Sequence, residues 1–144
     1  MKSLFYLLLF LSFSCSASEL TPFTSDGCSV FPDGTAEQQD LWLNCCIRHD
    51  LAYWKGGTQK EREEADRRLE ACVKKLGKPE IAKIMHTGVR LGGTPWLPTT
   101  YRWGYGWPYL RGYAPLNKDE LAQVKQQLYV LELMLKALRE ELDQ

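Results

Sequence analysis

The chain has 144 residues, 44% of them apolar, and its 18 Lys and Arg balance 18 Asp and Glu to a formal charge of zero. That balance leaves no global field to gather a polyanion, which excludes nucleic acid as a partner class. The length allows one domain with a modest core, small enough to profit from cross-links.

Lys2 is followed by an apolar run from Leu4 to Phe13 and by small residues around Cys15, Ser16 and Ala17. This reads as a secretory signal peptide over residues 1 to 17, too short to span a bilayer, with a secreted or periplasmic destination. A lipidated Cys15 would want an apolar residue three places earlier, where Ser12 stands. Beyond the leader four cysteines remain, Cys28, Cys45, Cys46 and Cys72, and an even count in an exported chain reads as two disulfides. Neighbours on a helix point about 100° apart, so Cys45 cannot readily bond Cys46, and two pairings survive.

Thr35 and Gln38 have the form of a capping box and predict a helix over residues 36 to 55, stopped by Gly56 and Gly57. Thr58 and Glu61 repeat the box for a second helix that runs to Leu76 and ends at Gly77. The short glycine turn favours an antiparallel pair. The charged run KEREEADRR, residues 60 to 68, reads as a solvated helical face, with Asp66 the exception. Pro79 opens a third, shorter helix before Gly92 and Gly93, with His86 alone on it and read as structural.

Residues 95 to 113 are punctuated by proline and glycine and do not read as a helix. Tyr101, Trp103, Tyr105, Trp107 and Tyr109 alternate, which in an extended chain puts all five rings on one face. With Arg102 and Arg111, the whole aromatic run from Trp96 to Tyr113 forms a candidate interfacial surface for a phospholipid membrane; plain packing against the helices is the alternative. The last segment, residues 117 to 144, opens with Asn117 and Glu120 as a capping box. Leu121, Val124, Leu128, Leu131, Leu135, Leu138 and Leu142 then follow at alternating spacings of three and four. That is an a/d seam of three heptads, suited to self-association or to intrachain docking. Tyr129, Val130, Leu133 and Met134 widen its apolar face, which favours docking or a tight bundle over a free two-stranded coil. The fold class is all-α, with a domain over residues 18 to 116 and an amphipathic helix over 117 to 144.

The chemistry concentrates at residues 45 to 53. Counting from Cys45, His49 and Tyr53 follow at four and eight residues and share a stripe; Cys46 and Asp50 form the adjoining one. If Cys46 bonds Cys28, the loop DGCSVFPDG is stapled beside Asp50, where its carbonyls could join the carboxylate around a hard cation such as calcium. If Cys45 bonds Cys72, the second helix is clamped antiparallel to the first, and Asp66, six residues before Cys72, returns by about 9 Å to the level of His49. That pairing accounts for both stripes. A zinc site would need a second ligand pair, and in an oxidising compartment these cysteines favour disulfides. A structural role for an isolated His-Asp dipeptide is weakened by the flanking cysteines and Tyr53.

Cys45 to Tyr53, CCIRHDLAY, resembles the CCxxHDxxY signature of the secreted phospholipase A2 superfamily, with no mismatch at a signature position. The segment ADRRLEAC, Ala65 to Cys72, has that family's spacing of an aspartate six residues before a half-cystine on an antiparallel second helix. The resemblance covers roughly residues 26 to 76, and the DGCSVFPDG loop looks like that of small bacterial relatives. It implies two disulfide-linked helices of phospholipase A2 type with a calcium-binding-type loop before them. It also implies calcium-dependent hydrolysis of a phospholipid acyl ester. His49 would be the general base on a water, Asp66 would hold the imidazole tautomer, Tyr53 would support Asp66, and Asp50 would bind calcium. By position relative to Cys28, the carbonyl ligands carried over are Gly27, Ser29 and Phe31. The chain departs from the family in two places. Gly27 stands where a tyrosine precedes the loop cysteine, and Gly56 and Gly57 replace the β-wing between the helices of many animal members. A non-catalytic module of the same fold, binding lipid or a protein partner, is the alternative.

Overall fold

The computed structural model describes residues 19 to 143. The expected signal peptide and Cys15 lie outside the described residues. Four helices follow in chain order: α1 Leu43–Lys55, α2 Gln59–Lys75, α3 Pro79–Gly92 and α4 Lys118–Leu142, with no strand among the described residues.

The first helix starts at Leu43, seven residues later than expected. Thr35 and Gln38 do bond, but they close a tight turn: Thr35 Oγ1 accepts from the Gln38 amide at 3.1 Å, and the Thr35 amide donates to Gln38 O at 2.8 Å. The same donor–acceptor pattern serves either a helix start or a turn. Gly34 tips it toward the turn, because a Cβ there would collide with the Gln38 carbonyl. Trp42 completes the entry, with its indole N–H on Pro32 O at 2.6 Å and its amide on Asp33 O at 3.0 Å.

Helix α2 opens with the full reciprocal box of Thr58 and Glu61, and α4 with that of Asn117 and Glu120. Gly56 and Gly57 both sit at positive φ, 67° and 136°, and turn the chain so that α2 runs back along α1. Helix α2 packs against both α1 and α3. The core between them holds Trp42, Cys45, Cys46, Leu69, Val73, Ala82 and Met85. Disulfides join Cys28 to Cys46 and Cys45 to Cys72, closing loops of 18 and 27 residues in sequence. In a chain-entropy view each such loop is worth about 3 kcal/mol. Two structural disulfides mark a chain that matures in an oxidising compartment.

The aromatic segment is neither extended nor one-faced. It folds through turns and plugs the end of α1, where the last carbonyls of a helix have no partner of their own. The Gly104 and Gly106 amides donate to Tyr53 O and Trp54 O at 2.6 and 3.2 Å, and the Trp107 indole donates to Lys55 O at 2.8 Å. Trp103 and Trp107 are both 2% exposed. They are core, which removes them from an interfacial surface. The two arginines are also engaged internally: buried Arg102 donates to Trp107 O at 2.7 Å, and Arg111 forms a bidentate pair with Glu120. Alternation in the sequence misled because the prolines and glycines between the rings reset the chain direction every few residues.

Helix α4 also departs from expectation. Val124 is buried with Leu20, Trp54 and Trp107, and Leu128 packs partly against them. Beyond Leu128 the helix leaves the body, and the docking of the whole seam within one chain is not found.

Candidate functional site

The site is built from α1 outward. Helical spacing puts His49 and Tyr53 on one stripe, and both are buried. Asp66, fully buried on α2, comes opposite them because the Cys45–Cys72 bond fixes the register of the pair. His49 Nε2 lies 2.9 Å from Asp66 Oδ1, and the Tyr53 hydroxyl donates to the same oxygen at 2.7 Å. The imidazole stacks obliquely on the Tyr53 ring with centroids 4.2 Å apart. His49 Nδ1 has no hydrogen-bond partner among the described residues, and the ring lines a cavity of about 230 Å³.

Two arginines that the sequence did not single out complete the network. Arg90 of α3 donates to Asp66 Oδ2 at 2.8 Å. Arg62, one turn before Asp66 on α2, is 3% exposed and donates to the Tyr53 hydroxyl at 3.0 Å. Its other nitrogens reach the Tyr113 hydroxyl and the carbonyls of Val89 and Arg90, so it ties α2 to the end of α3. The solvated reading of KEREEADRR therefore fails at Arg62, while Arg67 and Arg68 do face water. The i, i+4 spacing of Arg62 to Asp66 was the available signal; nothing in the sequence pointed to Arg90 or Tyr113. Burial opposes charge on Asp66, but hydrogen bonds from His49, Arg90 and Tyr53 together hold its carboxyl below the usual carboxylate range. Burial and the neighbouring Asp66 charge push the Tyr53 hydroxyl up, so it stays a donor.

On the adjoining stripe Asp50 is buried and accepts from the Ser25 hydroxyl at 2.6 Å. Burial pushes its carboxyl up to about 7; the Ser25 bond opposes this, and the charges of Asp26 and Asp33 add to it. A carboxylate in such surroundings is one that a cation would compensate. Gly27, Ser29 and Phe31 line the same cavity as His49 and Asp50. Their loop turns through positive φ at Gly27 and Ser29, and Asp33 holds it by accepting from the Cys28 amide at 2.8 Å. The carbonyls of Gly27, Ser29 and Phe31 accept no hydrogen bond from the described residues. Among those residues no group of three or more His, Cys, Asp or Glu is assembled for a metal. An ion bound at Asp50 would thus draw on backbone oxygens, the ligand type a hard cation prefers.

The cavity wall opposite the loop is apolar, formed by Leu69 of α2 and by Met85, Val89 and Gly92 of α3. His86, expected to be structural, lies outside this lining, 3.9 Å from Glu70. The arrangement is a histidine oriented by a buried carboxylate at the edge of a narrow apolar cleft, with a second carboxylate alongside. It can take a proton from a water and place the resulting nucleophile against an amphipathic substrate. No protein family, curated protein or solved structure matches this chain.

Proposed function

We propose that this protein is an exported, calcium-dependent hydrolase that cleaves the acyl ester of a phospholipid, a small relative in kind of the secreted phospholipases A2. The observation that carries the reading is the contact of His49 with Asp66 at 2.9 Å beside an apolar cavity that also holds Asp50. The signature CCIRHDLAY supports it independently.

His49 takes the proton of the attacking water at Nδ1, while its Nε2–H stays on Asp66. Asp66 fixes that tautomer and stabilises the imidazolium; Tyr53, Arg62 and Arg90 keep Asp66 ionised and in place. The wall of Phe31, Leu69, Met85 and Val89 receives an acyl chain and excludes bulk water. Asp50, with the carbonyls of Gly27, Ser29 and Phe31, would hold the calcium, which supplies charge stabilisation for the ester oxygen and the phosphate.

The test is fatty-acid release from mixed phospholipid vesicles by the purified protein. Release should require calcium and should fall by about 100-fold or more in His49→Gln, the scale of a lost general base. A folded wild type that releases nothing at millimolar calcium would replace the enzyme with a lipid- or protein-binding module of the same fold.

A further inference from the structure

The distal half of α4 concentrates exposed large apolar side chains, among them Tyr129, Leu133, Met134, Leu135 and Leu138. From Tyr129 to Leu142 it is about 21 Å long, and none of its residues is buried. Leu135 and Leu138 on its seam are 57% and 60% exposed, and Leu142 is 86% exposed. An isolated helix of this length is marginal in water without a packed face. The seam continues without a break from Val124 and Leu128, which do pack, through half-buried Leu131 into Leu135, Leu138 and Leu142, which are exposed.

We infer that a second copy of this chain covers that seam, the two α4 helices pairing in parallel as a short coiled coil outside the body; the wider face of Tyr129, Val130, Leu133 and Met134, which favoured docking on the sequence, stays exposed on the single chain, so the a/d stripe is left for a second copy. Three features select this occupant. The first is the period: alternating three and four is the repeat that keeps one stripe facing an identical stripe along a supercoil. The second is the pattern of flanking charge. In parallel register the g positions of the free part, Gln127 and Met134, face Glu132 and Arg139 at e. Each of these pairs has one uncharged member, so flanking charge does not oppose pairing along the free seam. The third is the overall charge of the helix, four Lys and Arg against five Asp and Glu. A helix that lies on an anionic membrane carries a polar face rich in Lys and Arg, and this one ends in Glu140 and Glu141. No helix among the described residues is long and apolar enough to cross a membrane. Pairing at α4 keeps the cavity of His49 and Asp50 clear, since none of its lining residues lies on that helix.

The experiment compares wild type with Leu135→Glu plus Leu138→Lys by sedimentation equilibrium at micromolar concentration, with circular dichroism on the same samples. Both side chains are exposed on the single chain, so the double variant keeps the body intact. Wild type should sediment at twice the mass of one chain and the variant at one. A wild type that stays monomeric overturns the proposal, as does a variant that stays dimeric with an intact body. Flotation with vesicles of zwitterionic and anionic phospholipid separates the lipid alternative. Vesicle binding by a monomeric wild type that the double variant loses would give the seam to the membrane instead. In Leu142→Cys the parallel pair should form an interchain disulfide under mild oxidation. A dimer that forms none overturns the parallel arrangement.

Discussion

Helices α2 and α4 begin alike and end differently. Both open with a complete capping box, Thr58 with Glu61 and Asn117 with Glu120, and both run for more than four turns with an apolar stripe. Helix α2 buries Ala65, Asp66, Leu69 and Val73 between α1 and α3. Helix α4 buries only Glu120 and Val124. A stripe and a cap specify a helix and its sticky face, while the partner for that face is set elsewhere in the chain. For α2 the partner is fixed by a covalent device, the Cys45–Cys72 bond, and by a two-glycine turn that sends the chain back along α1. Helix α4 has neither. Its links to the body include the Arg111–Glu120 pair, the Leu20 amide on the Gln123 side chain at 2.9 Å, and the contacts of Val124 and Leu128, all within its first three turns.

The contrast breaks most visibly at Asp66. It accepts from His49, Tyr53 and Arg90 in a site with no solvent exposure, so Asp66→Asn leaves Arg90 and Arg62 beside a neutral amide. Removing one member of a buried charged network costs about 3–5 kcal/mol, and the loss should appear in global unfolding by urea. Its pH dependence has a definite sign. The Asp66 carboxyl is held below its ordinary value in the fold. The stability it contributes is therefore fully present above the unfolded value of about 3.9 and is lost as pH falls through the lower folded value. Wild type should lose more stability than Asp66→Asn over that acid range. Parallel curves would mean that Asp66 is not ionised in the folded protein.

Next in size is the paired truncation of one leucine from each stripe. Leu69 is 3% exposed, and Leu69→Ala should cost about 2–5 kcal/mol, the range for emptying a buried leucine site. Leu135→Ala, on dilute chains, should stay within about 0.5 kcal/mol, as for an exposed position. If the Leu135 cost then rises with protein concentration, the difference belongs to association and not to the body. Equal costs for the two at every concentration would mean that α4 folds back over the core.

Much of the α1–α2 region was legible because its signals are local and mutually consistent. The second capping box, the glycine turn and the spacing of Asp66 before Cys72 all depend on residues a few places apart, and they agree with one another. What escaped the sequence was long-range. Arg90 reaches Asp66 from another helix across 24 residues, and Tyr113 reaches Arg62 across 51. Arg62 looked like one more charge in a solvated run, and only the returning end of α3 makes it interior. The start of α1 was misplaced because Thr35 and Gln38 satisfy one another equally well in a turn, and the deciding contact is the steric demand at Gly34. Trp103 and Trp107 went to the core for a similar reason. The carbonyls of Lys55 at the end of α1 and of Gly57 in the turn need donors, and the indoles of Trp107 and Trp103 supply them from 52 and 46 residues downstream.

The two N-terminal caps compare the helices most directly. Thr58→Ala and Asn117→Ala remove the same kind of cap: Thr58 accepts from the Glu61 amide at 3.2 Å, and Asn117 from the Asp119 and Glu120 amides at 2.9 Å. Each substitution weakens its helix by about 1 kcal/mol. For α2 that loss is inseparable from the body, because every turn of the helix packs, so the whole amount should appear as lower global stability. For α4 the distal turns carry no packing, and their helicity on a single chain propagates only from the capped start. Asn117→Ala should therefore move the global midpoint less than Thr58→Ala does, while hydrogen exchange across residues 129 to 142 accelerates in dilute protein. If both variants lower the midpoint equally and the distal amides keep their protection, the far half of α4 is held by something within the same chain, and the contrast between the two helices fails.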